Sequence, residues 1–199
     1  MSGRLVWLYL QSRRTWTALA ILLVVAAVAW WSLDRSRHDG LTTFLLTIMP
    51  LGAAAVIGAG AGSPFGETER TASRRLPILR LGHLGGLLLC AGLTLAVANR
   101  AVPATDTAWI LVRNGVGYAG LALLGARILG AGPAWVAPSA YGMAVAVAFL
   151  ANVPTTRWWM WPAHHAPDGS AWVSGLMLLA IGLLVIAPVG ARETPGEAE

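Results

Sequence analysis

The side chains able to do chemistry fall into three groups. The first is His164-His165 with Asp168, in a stretch that also holds Trp158, Trp159, Trp161 and Trp172. These residue types suit a metal or an acid–base site. Adjacent histidines are poor partners on one helix face, however, and no further His or Cys is spaced to complete a tetrahedral set. The pair therefore reads as interfacial histidines able to titrate with pH. The second group is Arg113-Asn114, set inside an apolar run. A charge there is expensive unless it faces a wet cavity or a partner. With Asn99 and Asn152 expected at similar depth, it outlines a polar cluster lining the outer part of a pathway; the other reading is snorkelling to the interface. The third is the charged segment around Glu67, Glu69, Arg70, Arg74 and Arg75. No carboxylate pair, nucleophile triad or metal set lies inside the apolar runs. That weakens a proton-coupled carrier, argues against an intramembrane protease, and leaves no catalytic site and no metal in this chain.

The elements that position these groups follow from composition. Of 199 residues, 56% are hydrophobic and 12% charged, with mean hydropathy +0.64. Soluble domains carry about a quarter charged residues, and half that share cannot cover a globule in water. Disorder is excluded by the same apolar excess. The chain reads as all-α and polytopic, a single transmembrane domain over residues 1–199. Six segments reach the roughly 20 apolar residues that cross a bilayer: Thr15–Leu33, Leu41–Ala61, Leu81–Ala98, Ala108–Leu129, Val136–Val153 and Ala171–Val189. Their continuous apolar character separates them from the alternating strands of a barrel.

All 14 basic residues are Arg. A net charge of +5 marks membrane loops rather than nucleic-acid binding, since no basic stripe with interleaved aromatics occurs. Without Lys there is no Walker A loop, so ATP-driven work would come from another polypeptide. Cys90 stands alone and excludes an internal disulfide. With both ends inside, nine Arg fall in inner segments and five in outer ones. This bias predicts cytoplasmic termini and an uncleaved first span.

Three segments are not spans. Residues 1–14 hold Leu5–Leu10, Trp7, Tyr9, Arg13 and Arg14, a pattern for an interfacial helix or for an extension of the first span. In the longest inner loop, Ser63-Pro64 starts a short helix over 63–76, with Glu67 and Glu69 near its positive end and Arg74 and Arg75 near its negative end. Pro77 is expected to stop it. Two readings stand for this loop: a docking element for an acidic cytosolic subunit, or a positive loop on anionic lipid. The outer loop 154–171 has the aromatic density of a re-entrant segment, and residues 190–199 form an acidic tail. Gly58-x-x-x-Gly62, Gly82-x-x-x-Gly86 and the small faces around Gly115, Gly117 and Gly120 permit close helix approach.

This layout resembles the membrane subunit of an ABC exporter of the drug and polysaccharide class, in which the ATPase is often a separate chain. The best local match is Gly66-Glu67-Thr68-Glu69-Arg70, where that family carries its coupling helix. The resemblance implies a permease subunit in the cell inner (plasma) membrane, paired with itself or a sister subunit and exporting a hydrophobic or amphipathic cargo such as a lipid, peptide or antibiotic. ATP and Mg would sit on a cytosolic ATP-binding subunit, with Phe65 filling a groove on it and Arg70, Arg74 and Arg75 pairing with its carboxylates. The outer loop would cover the cargo exit. An alternative is a non-transporting scaffold that recruits a cytosolic partner; a third is a cofactor-binding membrane protein using His83, His164 or His165. Arg in place of Lys and the wealth of Ala and Gly point to a GC-rich bacterial genome.

Overall fold

The computed structural model describes residues 15–35, 39–62, 76–98, 105–165 and 167–192. Residues 63–75 of the coupling helix expected over 63–76, the N-terminal segment 1–14, Asn99 and the tail from 193 onward lie outside the described residues. Seven α-helices and two short 3-10 turns account for most of the rest: α1 (Thr15–Arg35), α2 (Asp39–Ile48), α3 (Pro50–Gly60), α4 (Leu76–Ala98), α5 (Thr105–Leu129), the turn Gly132–Trp135, α6 (Val136–Leu150), the turn Trp158–Ala163 and α7 (Gly169–Val189). No strand occurs among the described residues. Six helices are long and apolar enough to cross a membrane, α2 and α3 together forming one of them. The chain is a multi-pass, all-α membrane protein.

The second span is not the continuous helix expected over Leu41–Ala61. It breaks at Met49, and α3 restarts with Pro50 in its first turn. A proline ring clashes with the carbonyl four residues back and offers it no N–H, so Leu46 loses its helical partner. The third span begins at Leu76 rather than at the expected Leu81, with Pro77 in the first turn of α4, where the orphan positions tolerate a residue without N–H. The fifth span ends at Leu150, earlier than the expected Val153. There Asn152 takes φ 56, its amide donates to Phe149 O at 3.1 Å, and the Val153 amide donates to Ala148 O at 2.9 Å. That pair of bonds is the left-handed terminator of a helix.

α5 is the hub. It packs along α7 and against α3, and buries Leu111, Arg113, Tyr118, Ala119, Ala122, Leu123 and Ala126. Small residues set the distances. A Cβ on Gly120 would lie 2.3 Å from the Leu178 backbone, and one on Gly182 2.8 Å from Gly120 O. Backbones this close gain dispersion contacts and weak hydrogen bonds that larger residues would forbid. A Cβ on Gly58 would meet Ala122 and Ala134 and one on Gly62 would meet Ala131, whereas on Gly82 and Gly86 it would meet nothing within 4 Å among the described residues. Two motifs of the same spacing thus have unequal roles. α1, by contrast, presents much of its apolar surface outward, as a lipid-facing helix does.

Candidate functional site

Arg113 sits on the hub, one residue from Asn114, and the two side chains organise the Trp-rich loop. Arg113 is 0% exposed. Its Nη1 donates to His165 O at 2.9 Å, and its Nη2 to His164 O at 2.9 Å and Pro162 O at 3.3 Å. Its Nε donates to Asn114 Oδ1 at 3.2 Å. The planar guanidinium is suited to this, because its donors diverge in a fixed fork. The buried His164 carbonyl would otherwise be left unsatisfied, at about 1–3 kcal/mol, whereas Pro162 O also accepts from Asn114 and His165 O from the Asp168 amide at 3.3 Å.

Asn114 completes the clamp in both directions. Its Nδ2 donates to Pro162 O at 2.8 Å and to Leu46 O at 3.2 Å. Leu46 is the residue whose carbonyl Pro50 leaves unbonded. One amide therefore repairs the break between α2 and α3 and ties it to the loop. A proline four residues after an apolar position inside a span was the available signal that a side-chain donor must come from another helix.

The loop itself lies partly in the bundle. Trp161 is buried, with its ring centroid 5.6 Å from Tyr118 and 6.1 Å from Tyr141, stacked on the latter. Gly117 makes room for it, since a Cβ there would stand 2.1 Å from the indole. Tyr141 donates its hydroxyl to Trp159 O. Trp158 is 85% exposed, and Trp172 packs edge-on against Trp109 at 6.2 Å. Between the loop, α5, α6 and α7 lies an apolar cavity of about 510 Å³, walled by Tyr141, Trp158, Trp159, Trp161, Met177 and Ile181. The Tyr118 hydroxyl, fully buried nearby, has no hydrogen-bond partner among the described residues.

Asp168 caps α7. Its Oδ1 accepts from the Ser170 amide at 2.8 Å and the Ser170 hydroxyl at 2.6 Å, and its Oδ2 faces His164 Nδ1 at 2.7 Å. The Ser170 hydroxyl, followed by the backbone amides and His164, holds its carboxyl down at about 2 against the slight upward push of desolvation.

Of the residues expected to share a pathway, Asn99 lies outside the described residues. Arg113 and Asn114 meet each other and the loop; Asn152 is an exposed helix terminator. His164 is buried and His165 exposed. His83 lies at the far end of the bundle on α4, its Nε2 3.8 Å from where a Gly60 Cβ would stand. It is separated from His164 and His165 by most of the length of α7, roughly 30 Å for its 21 residues. Among the described residues no three His, Cys, Asp or Glu gather into a metal-binding group.

At that far end, Arg80 of α4 donates Nη1 to Ile186 O at 3.3 Å and Ala187 O at 3.2 Å. Both belong to the last turn of α7, where carbonyls run short of helical donors, although Ile186 O also accepts the Gly190 amide at 2.8 Å. The Arg192 amide donates to Ala126 O at 3.0 Å and its Nη1 to Ile128 O at 3.2 Å. The chain leaving the 63–75 segment is in this way tied to α7 within its second helical turn. No protein-family model, no curated protein and no solved structure matches this chain.

Proposed function

We propose that the chain is the membrane-spanning permease subunit of an ATP-driven exporter of hydrophobic or amphipathic cargo, with ATP and Mg bound on a separate cytosolic subunit. The observation that carries this reading is the Asn114 bridge. The span leading into the charged segment 63–75 is broken at Pro50, and that break is bonded through Asn114 to the Trp-rich loop at the opposite end. A movement imposed on the charged segment would reach α3 directly and α7 through Arg80, and the break would pass it to the loop. This is the connectivity an engine outside the membrane needs. Arg placement sets the charged segment and both chain ends in the cytoplasm and the Trp-rich loop outside.

Because Arg113 and Asn114 are occupied by loop carbonyls, the cargo route runs along the boundary with a second copy or sister subunit and past the aromatic cavity. Its apolar lining suits an acyl chain or another hydrophobic tail. Phe65, Glu67, Glu69, Arg70, Arg74 and Arg75 form the contact with the ATPase, the three cations pairing with its carboxylates.

The test is co-purification from mild detergent followed by transport. The wild-type chain should bring down an ATP-hydrolysing subunit, and the double variant Arg74→Glu, Arg75→Glu should lose it while still entering the membrane. A double variant that retains the ATPase at wild-type level overturns the assignment of the charged segment. A wild-type chain that brings down no ATPase overturns the exporter reading.

A further inference from the structure

The apolar cavity of about 510 Å³ has the volume of a small-molecule site, roughly 300–1,000 Å³. One wall is α7 from Ser174 to Ile181, about 10 Å of helix axis. The other carries the rings of Tyr141, Trp159 and Trp161, with Trp158 at the rim. Ser174 stands five residues into α7, so the cavity lies in the hydrocarbon of the leaflet on the loop side, about 15 Å deep. Met177 and Ile181 are 57% and 44% exposed, so it opens sideways into lipid rather than into the bundle.

Its walls are fixed. Trp161 fits over Gly117, touches Tyr118 and stacks on Tyr141 at an interplanar angle of 19°. Tyr141 donates its hydroxyl to Trp159 O, and the Met160 amide donates to Arg157 O at 2.8 Å. A concavity that does not collapse can hold a chain without first ordering its own side chains, which a flat helix face cannot do. The walls also reject polar ligands. Ser174, the one hydroxyl on the α7 wall, donates to Ser170 O at 2.9 Å, and the Tyr141 hydroxyl is engaged. A sugar or peptide would lose hydrogen bonds on entry, whereas an acyl chain has none to lose.

The rim differs. Arg157 precedes Trp158 and is exposed, and no hydrogen bond or ion pair engages its guanidinium among the described residues. Asp168, joined to the same corner through His164, is committed to Ser170 and His164. Of the other described cations at this end, Arg35 lies over the Trp31 ring at 4.3 Å and Arg113 is buried on loop carbonyls. Trp158, 85% exposed, is an indole suited to headgroup depth. The longer segments 1–14 and 63–75 join helices at the opposite end of the bundle, so neither fills the cavity.

We propose that this cavity is a phospholipid site. One acyl chain from the loop-side leaflet lies along Ser174–Ile181 against the Tyr141–Trp161 stack, and the phosphate rests on the Arg157 guanidinium. Arg–phosphate pairs are charge-assisted and bidentate, which fixes the headgroup above its chain. Holding this lipid requires neither a motor nor transport, so the site stands or falls separately from the exporter reading.

Native mass spectrometry of the full chain in mild detergent, supplied with phosphatidylglycerol, counts the bound lipid. The parent should retain one lipid per chain, and Ile181→Trp, whose indole fills the groove, should retain none. Arg157→Gln should hold it about fivefold more weakly, the effect of one cation at a membrane surface. Phosphatidylglycerol carrying a mid-chain diazirine should label residues 174–181 and 158–161. No retained lipid, or retention by Ile181→Trp equal to the parent's, overturns the site, and undiminished retention by Arg157→Gln overturns the phosphate contact. Should Ile181→Trp fail to fold, labelling of the parent decides: adducts confined to other faces, such as Leu89 and Leu93 of α4, or crosslinks joining two copies through the cavity, overturn the proposal.

Discussion

Both ends of the bundle set arginines on backbone carbonyls, yet the two ends use them differently. At the end away from the Trp-rich loop, Arg80 and Arg192 bond carbonyls at the C-terminal ends of α7 and α5. Those helices already have their course set by packing, and the cations complement the negative end of each helix dipole. At the loop end, Arg113 comes from the middle of the first half of α5 and holds three carbonyls of a segment with little regular structure. There the arginine replaces secondary structure. The lesson is that equal chemistry has unequal weight: a cap adjusts an existing helix, whereas a clamp determines whether a loop has a conformation at all.

That contrast can be broken by mutation. Arg113→Ala should have the largest effect, about 3 kcal/mol or more, because the buried His164 carbonyl loses its Arg113 donor, Pro162 O keeps only Asn114 and His165 O only the Asp168 amide. Thermal unfolding in detergent would show it, accompanied by new protease cleavage within residues 154–168. Next comes Asn114→Leu, at about 2 kcal/mol. Here Pro50→Ala provides a sharper measure, since it returns an N–H to Leu46 and should recover part of the loss. A double-mutant cycle with no coupling between residues 50 and 114 would remove the bridge. Smallest is Arg80→Ala, at about 1 kcal/mol, with the loop as protected as in the parent. Equal losses for Arg113→Ala and Arg80→Ala, or loop cleavage in both, would erase the difference between clamp and cap.

Much of the architecture was legible in the residues, and the candidate site much less so. The six crossings are a local property of apolar length against bilayer thickness, and five of the six runs overlap their helices closely. The departures lie at prolines: Pro50 interrupts a run that hydropathy alone reads as continuous, and with Pro77 in its first turn α4 begins at Leu76, ahead of the expected Leu81. The need for partners at Arg113 and Asn114 was also readable, because unsatisfied polar groups in hydrocarbon are costly. Which partners they take was not. A shared pathway with Asn99 and Asn152 is as consistent with the sequence as a clamp on His164 and Pro162. The glycines repeat the point, with Gly58-x-x-x-Gly62 pressed against neighbours and Gly82-x-x-x-Gly86 facing open space.

Sequence by itself therefore determined that this chain crosses a membrane, roughly where it does so, and that one buried cation and one amide had to be satisfied. Tertiary structure alone decided that their acceptors lie 48 to 68 residues away, on a loop and on a broken helix. The physical reason is range. Transfer of apolar side chains into hydrocarbon is summed along the chain and needs no partner, whereas a hydrogen bond closes only when the packing of α5 against α7 and α3 brings donor and acceptor within about 3 Å.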